Sequence, residues 1–197
     1  MTALSHTASA FPFYLPGEGM TNEEFYRFCA MNEDLRIEQD ADKRIHVMPP
    51  TNSDTGNKNA RLLVHIGIWN EQHRGGELFD SSTGFQLPNG AFRSPDLSWI
   101  QVGKWAAVPQ SQRRQFAPIA PDFVVELRSP EQSLPDLRAK MEEYRNAGCR
   151  LGWLIDPQQR QTFVYDFDGN VTVVPFDQTL DGGDVLPGLT LCLADLF

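Results

Sequence analysis

A chain of 197 residues with 41% hydrophobic and 11% aromatic side chains fits one domain with a full-sized core better than two small ones, and its composition argues against disorder. A net charge of −9 and an isoelectric point near 4.8 have the wrong sign for coating nucleic acid nonspecifically, so a nucleic-acid role would need a localised basic or metal-bound site. Cys29, Cys149 and Cys192 share no short spacing, which fits neither a disulfide framework nor a zinc motif and points to a reducing cytoplasm.

The opening "MTALSHTASAFPFYLPGEG" lacks the basic start and continuous apolar run of a signal peptide and is expected to form an arm over residues 1–19. No run approaches the roughly 18 apolar residues that a membrane span needs. A single domain is then expected over 20–197. "TNEEFYRFCAMN" predicts a short helix, with Thr21 as N-cap and Glu24 completing a capping box. "DLRIEQDADKRIHVMPP" reads as a hairpin turning at "DADK", with Leu35 and Ile37 on one face and Arg36 and Glu38 on the other. "TGNKNARLLVHIGIWNEQHRGG" predicts a helix of about five turns that stops at Gly75-Gly76. Short strands follow through "GELFDSSTGFQLPNGAFRSPDLSWI", then a polar helix over roughly 104–115 and the strand of "PDFVVELRSP". "SLPDLRAKMEEYRNAG" predicts a second clear helix, with Pro135 early and Gly148 at its end. It feeds the strand "RLGWLIDP", and the remainder ("TFVYDF", "VTVVPF", "LPGLTLCL") is β-rich. This alternation predicts an α/β sandwich built on a mixed sheet.

The chemistry centres on Asp96 and Glu126. Asp96 sits on an apolar strand beside Leu97, Trp99 and Ile100, while alternation in "FVVELR" sends Val124, Glu126 and Arg128 to one face. Carboxylates are seldom buried without a partner, because desolvating the ionised form costs several kcal/mol. Two on neighbouring strands repel unless a cation lies between them, and Mg²⁺ takes one or two carboxylates together with water and phosphate. The alternative is a private salt bridge for each, Glu126 with Arg128. Glu38, on the polar face of its hairpin strand, is ordinarily a solvated glutamate. Lys140 lies on the edge of the apolar stripe Leu134, Leu137, Met141 and Tyr144, roughly 80° from its centre, where it can snorkel to solvent or lean towards the carboxylates.

Other patterns are weaker. His65, Trp69 and His73 share a helix face without a third ligand at zinc spacing. "DFDGN" lacks the later glutamate of a calcium loop and reads as a hairpin turn. Arg113 and Arg114 form a small basic spot on a solvated face. No Gly-rich phosphate loop or "GxSxG" elbow is present.

Together "LRIEQDADKRIHVMPPT", "TGNKNA", "FDSSTGFQLPNGAFRSPDLSWI", "PDFVVELRSP", "AKMEEYRNAGCRLGWLIDP" and "VLPGLTLCLADLF" resemble the Uma-type restriction endonuclease family of the PD-(D/E)XK nuclease-like superfamily. The resemblance runs over nearly the whole chain from about residue 20. It implies a restriction-endonuclease-like core, a central mixed β-sheet flanked by helices, with an extra N-terminal hairpin and a C-terminal β-rich segment. It also implies a metal-dependent phosphodiester hydrolase acting on nucleic acid, DNA foremost, as a homodimer or higher homo-oligomer. Carried over residue by residue, Glu38, Asp96, Glu126 and Lys140 are the implied catalytic residues, with Mg²⁺ (or Mn²⁺) on Asp96 and Glu126. The superfamily's usual lysine falls at Arg128, which stays protonated and so can grip a substrate phosphate but cannot act as a general base. That departure motivates the alternative of a nuclease-like fold that no longer cuts and serves as a binding or regulatory protein.

Overall fold

In the computed structural model the described residues are 20–197, so the expected arm over 1–19 lies outside them. Helix α1 (Asn22–Met31) leads into the hairpin β1 (Arg36–Gln39) and β2 (Ile45–Met48), and then into the long helix α2 (Ser53–His73). Four strands follow: β3 (Gly76–Asp80), β4 (Phe85–Gln86), β5 (Phe92–Arg93) and β6 (Leu97–Gln101). Two short helices, α3 (Val102–Ala106) and α4 (Gln110–Arg113), precede β7 (Phe123–Leu127), and α5 (Leu134–Asn146) connects β7 to β8 (Leu151–Asp156). The chain ends through β9 (Gln161–Asp166), β10 (Val171–Pro175), β11 (Thr179–Asp181), β12 (Thr190–Cys192) and α6 (Leu193–Leu196).

Local chemistry accounts for most of these boundaries. The capping box of α1 is formed as expected: the Thr21 N–H donates to Glu24 at 2.8 Å and the Glu24 N–H donates to Thr21 Oγ1 at 3.3 Å. The side chain of Asn52 caps α2 by accepting the Thr55 N–H at 2.9 Å. That helix stops one step before the glycine pair, at Arg74, which takes the left-handed conformation with φ 50°. Gly76 serves another purpose, since a Cβ there would lie 2.2 Å from the Ile100 carbonyl oxygen where β3 pairs with β6. Pro135 stands in the first turn of α5, and Gly148, at φ 101°, turns the chain out of it. The single polar helix expected over 104–115 is instead two short ones, because Pro109 between them has no N–H to continue the ladder.

The central sheet has six strands in the order β10-β9-β8-β7-β6-β3. Only β7 and β8 run parallel; the other neighbours are antiparallel, so the sheet is mixed, as expected. One face packs Leu62, Ile66 and Trp69 of α2, with β11, β12 and α6, against Phe123, Val125, Leu127 and Trp153. The other packs Leu137, Met141 and Tyr144 of α5 against Val124, Leu154 and Phe163. The N-terminal hairpin joins a smaller antiparallel sheet, β2-β1-β5-β4, on which α1 rests through Phe25. Among the described residues no helix is long and apolar enough to cross a membrane.

Candidate active site: a lysine among three carboxylates

The parallel pair β7–β8 needs a crossover, and α5 supplies it. This helix lies over the sheet face to which alternation along β7 sends Val124 and Glu126. Lys140 and Tyr144, four residues apart and so on one face of α5, both reach Glu126 Oε1: Lys140 Nζ at 2.8 Å and the tyrosine hydroxyl, donating, at 2.9 Å. Lys140 Nζ is also 2.8 Å from Glu38 Oε1. The edge-of-stripe lysine therefore leans inward, with its side chain only 12% exposed.

Glu38 departs from the expectation of a solvated face. It is buried, because β1 lies between β2 and β5 and its polar side is turned towards α5. Its Oε1 also accepts the Ser94 N–H at 2.9 Å, and its Oε2 accepts from Arg93 at 3.1 Å. Arg93 is shared with Glu143, which in turn accepts from Asn89. Asp96 precedes β6 rather than lying within it; its Oδ2 accepts the Leu127 N–H at 2.9 Å, which ties the start of β6 to the end of β7. The nearest cation to its Oδ1 is Arg36, at 3.8 Å.

These surroundings divide the carboxylates into two kinds. Burial would raise Glu38, but Lys140 and Arg93 beside it, with the Ser94 N–H, outweigh burial and hold it below the usual carboxylate value. For Glu126 burial prevails over Lys140, and the nearby Asp96 and Glu38 add to it, pushing the group up to about 7. Burial likewise raises Asp96, despite the Leu127 N–H and Lys140. Burial works against the charged ammonium of Lys140, yet Glu126 and Glu38 more than compensate and raise it above the ordinary lysine value. Lys140 is thus a cation and a donor, not a base. Tyr144, raised first by burial and then by Glu126 and Glu38, stays a neutral donor.

Two adjoining clefts meet at Lys140. One, of about 440 Å³, is lined by Arg36, Thr51, Asn52, Asp96, Glu126, Ser129 and Lys140. The other, of about 630 Å³, is lined by Glu38, Asp40, Arg44, Arg93, Asp136, Lys140 and Glu143. Within the first, Asp96 Oδ1 and Glu126 Oε2 accept no hydrogen bond among the described residues. Two hard oxygens facing a cleft fit a divalent ion that keeps waters in the rest of its shell. They do not fit an all-protein cage: among the described residues no group of three or more His, Cys, Asp or Glu side chains could hold a metal.

Of the five sequence-derived site residues, Glu38, Asp96, Glu126 and Lys140 converge and Arg128 stands apart. Its guanidinium pairs with Asp156 at 2.9 Å and donates to the Gln132 carbonyl at 3.1 Å, so it closes the loop after β7 instead of bridging to Glu126. Residues of the other sequence patterns are engaged locally. His73 Nδ1 lies 2.8 Å from the Trp69 carbonyl, a contact within α2. The Asp166 carboxylate accepts the Asn170 N–H in a tight β9–β10 turn, as expected for "DFDGN". Arg113 lies over the Trp105 ring at 4.9 Å instead of standing free. Three participants were not picked out as site residues: Arg93, Glu143 and the phenol of Tyr144. Tyr144 was legible only as part of an apolar stripe, and Arg93 lies in a two-residue strand without a pattern to mark it.

A mixed sheet whose parallel pair and crossover helix present acids and a lysine to a cleft defines an α/β protein with a polar, recessed active-site-like centre. The chain belongs to the Uma2 family, described as "Putative restriction endonuclease", which matches residues 22–194. A crystal structure from Anabaena variabilis ATCC 29413, described as "a putative nuclease belonging to DUF820", is similar with a TM-score of 0.70. The match covers 82% of this chain and 89% of that one at 23% identity, which shows a shared fold. No curated protein matches the chain.

Proposed function

We propose that this protein is a metal-dependent nuclease that hydrolyses phosphodiester bonds, with DNA as the foremost substrate and Mg²⁺, or Mn²⁺, held by Asp96 and Glu126. The observation that carries the reading is the convergence of Glu38, Asp96 and Glu126 on one protonated lysine at the wall of an open cleft. With Glu38 paired to Lys140 and Arg93, Asp96 Oδ1 and Glu126 Oε2 are the carboxylate oxygens left without a hydrogen bond, and a divalent ion would stabilise both in their charged form. When bound, such an ion supplies an activated water and neutralises charge on the phosphate.

The chain's own residues then have separable tasks. Glu38, anchored by Arg93 and the Ser94 N–H, holds the Lys140 ammonium in place from one side, and Glu126 holds it from the other. Lys140 keeps a proton available for the charge that grows on phosphate oxygens in the transition state. Tyr144 fixes the Glu126 rotamer by occupying Oε1, which leaves Oε2 directed to a ligand. Arg128 acts at one remove by shaping the loop that carries Ser129 and Gln132 to the cleft. The test is cleavage of DNA and of RNA with Mg²⁺ or Mn²⁺, beside an Asp96→Ala control. Metal-dependent cleavage lost in the variant is expected; equal cleavage by both would point to a contaminant and overturn the assignment.

One observation favours a second reading, a nuclease-like fold that binds without cutting: Lys140 already neutralises two of the carboxylates at 2.8 Å. Calorimetric titration with Mg²⁺ separates the two. Carboxylate-dependent binding supports the nuclease, and its absence in the presence of nucleic acid supports the non-catalytic protein.

A further inference from the structure

Of four cations in or near the acidic centre, three are committed. Lys140 pairs with Glu38 and Glu126 at 2.8 Å, Arg93 with Glu38 and Glu143 within 3.1 Å, and Arg128 with Asp156 at 2.9 Å. Arg36 differs. Its closest oxygens are the Ser94 carbonyl at 3.5 Å and Asp96 Oδ1 at 3.8 Å, and its buried Nε has no hydrogen-bond partner. Buried donors are nearly always paired, so this one calls for an explanation. Of the six buried side-chain nitrogen and oxygen atoms without a partner among the described residues, Arg36 Nε is the one on a residue lining the cleft of Asp96 and Glu126. The side chain as a whole is 33% exposed and lines that cleft.

We propose that Arg36 is the residue that grips the nucleic-acid backbone phosphate beside Asp96, the role the sequence suggested for Arg128, and that the substrate therefore enters through the Arg36 cleft rather than the adjoining cleft of Arg44. This rests on the nuclease reading above. A guanidinium offers a planar fork of donors that matches a phosphate, and Arg36 is the arginine at this centre with donors to spare. The adjoining cleft is the poorer entrance for a polyanion, since Asp40, Asp42, Asp136 and Glu143 line it.

The experiment measures binding of a short fluorescein-labelled oligodeoxynucleotide, single-stranded and duplex in separate arms, to the full chain with Ca²⁺ over about 50–200 mM KCl. Three variants are compared with the wild type: Arg36→Gln, Arg36→Lys and Arg44→Gln. Arg44→Gln removes the same charge from the other cleft, where the side chain is 71% exposed. Arg36→Gln is expected to weaken binding about tenfold and to flatten the salt slope by about 0.7 for single strands or 0.9 for duplex. Arg36→Lys should keep the slope but lose part of the affinity, and Arg44→Gln should change neither. A purely structural role for Arg36 would lower the melting temperature and leave the salt slope unmoved. Equal effects of Arg36→Gln and Arg44→Gln, or wild-type slope and affinity in Arg36→Gln, would overturn the assignment while the wild type still binds DNA. Failure of the wild type to bind either oligodeoxynucleotide, or an RNA of the same sequence, would instead overturn the nuclease reading itself.

Discussion

Lys140 and Asp96 sit in one centre but weigh very differently on stability. Lys140→Met leaves Glu38 and Glu126 buried without their shared cation, and breaking such a pair costs about 3–5 kcal/mol. Urea denaturation is expected to show that loss. Asp96→Asn keeps an oxygen to accept the Leu127 N–H and removes repulsion from Glu38, so without metal it should change stability by less than about 1 kcal/mol. The same variant is expected to abolish any rise in melting temperature on adding Mg²⁺. Glu126 adds a pH signature. Burial first, then Asp96 and Glu38, lift its folded pKa from an ordinary 4.5 to about 7, so its contribution to stability is complete below the lower value and lost as pH rises through the higher. Asp96 is shifted in the same sense. Glu38 is shifted down, so its contribution is lost only as pH falls below the ordinary range. In EDTA the protein should thus lose melting temperature between about pH 5 and pH 7, and Glu126→Gln should flatten that loss. A melting temperature that climbs across this window would contradict the assignment.

At the level of elements, glycine positions separate rigid contacts from soft ones. A Cβ at Gly76 would strike the Ile100 carbonyl and the Trp99 ring, at 2.2 and 2.5 Å, where the paired strands fix both neighbours. A Cβ at Gly152 would meet the terminal methyl of Met141 at 2.4 Å, and an unbranched side chain can swing away. Gly76→Ala is expected to cost about 1–3 kcal/mol. Gly152→Ala should cost less than about 1 kcal/mol, because the strand gains from losing glycine. What could be read from sequence divides along similar lines. Short-range chemistry was legible: the Thr21–Glu24 box, the Pro135 start of α5 and the alternation that put Glu126 opposite Leu127. The break at Pro109 was written in the chain but outweighed by the polar composition around it. Burial of Glu38 was not legible, since two-residue alternation assumes a strand with one solvated face and α5 covers that face from about a hundred residues away. Arg93 was hidden for the same reason, as both its acidic partners are 50 residues or more distant.

For the whole molecule, the charge of −9 opposes any polyanion, and the few cations near the centre are mostly spent on internal pairs. Nucleic-acid binding should therefore depend on divalent metal. At about 150 mM salt, fluorescence anisotropy is expected to show little DNA binding in EDTA and clear binding with Mg²⁺. Tight binding in EDTA would place the recognition surface elsewhere. The parallel pair of the central sheet shapes the molecule in another way. Because β7 and β8 run the same way, the segment 128–133 after β7 and the turn after Asp156 at the end of β8 emerge at the same end of the sheet, where Arg128 pairs with Asp156 and the Gln158 side chain donates to the Pro130 carbonyl. Glu38 and Glu126 are rooted in strands, whereas Ser129, Glu131 and Gln132 reach the cleft from a loop, so the loop between Leu127 and Leu134 is the part of the wall that can vary in length without disturbing the acids themselves.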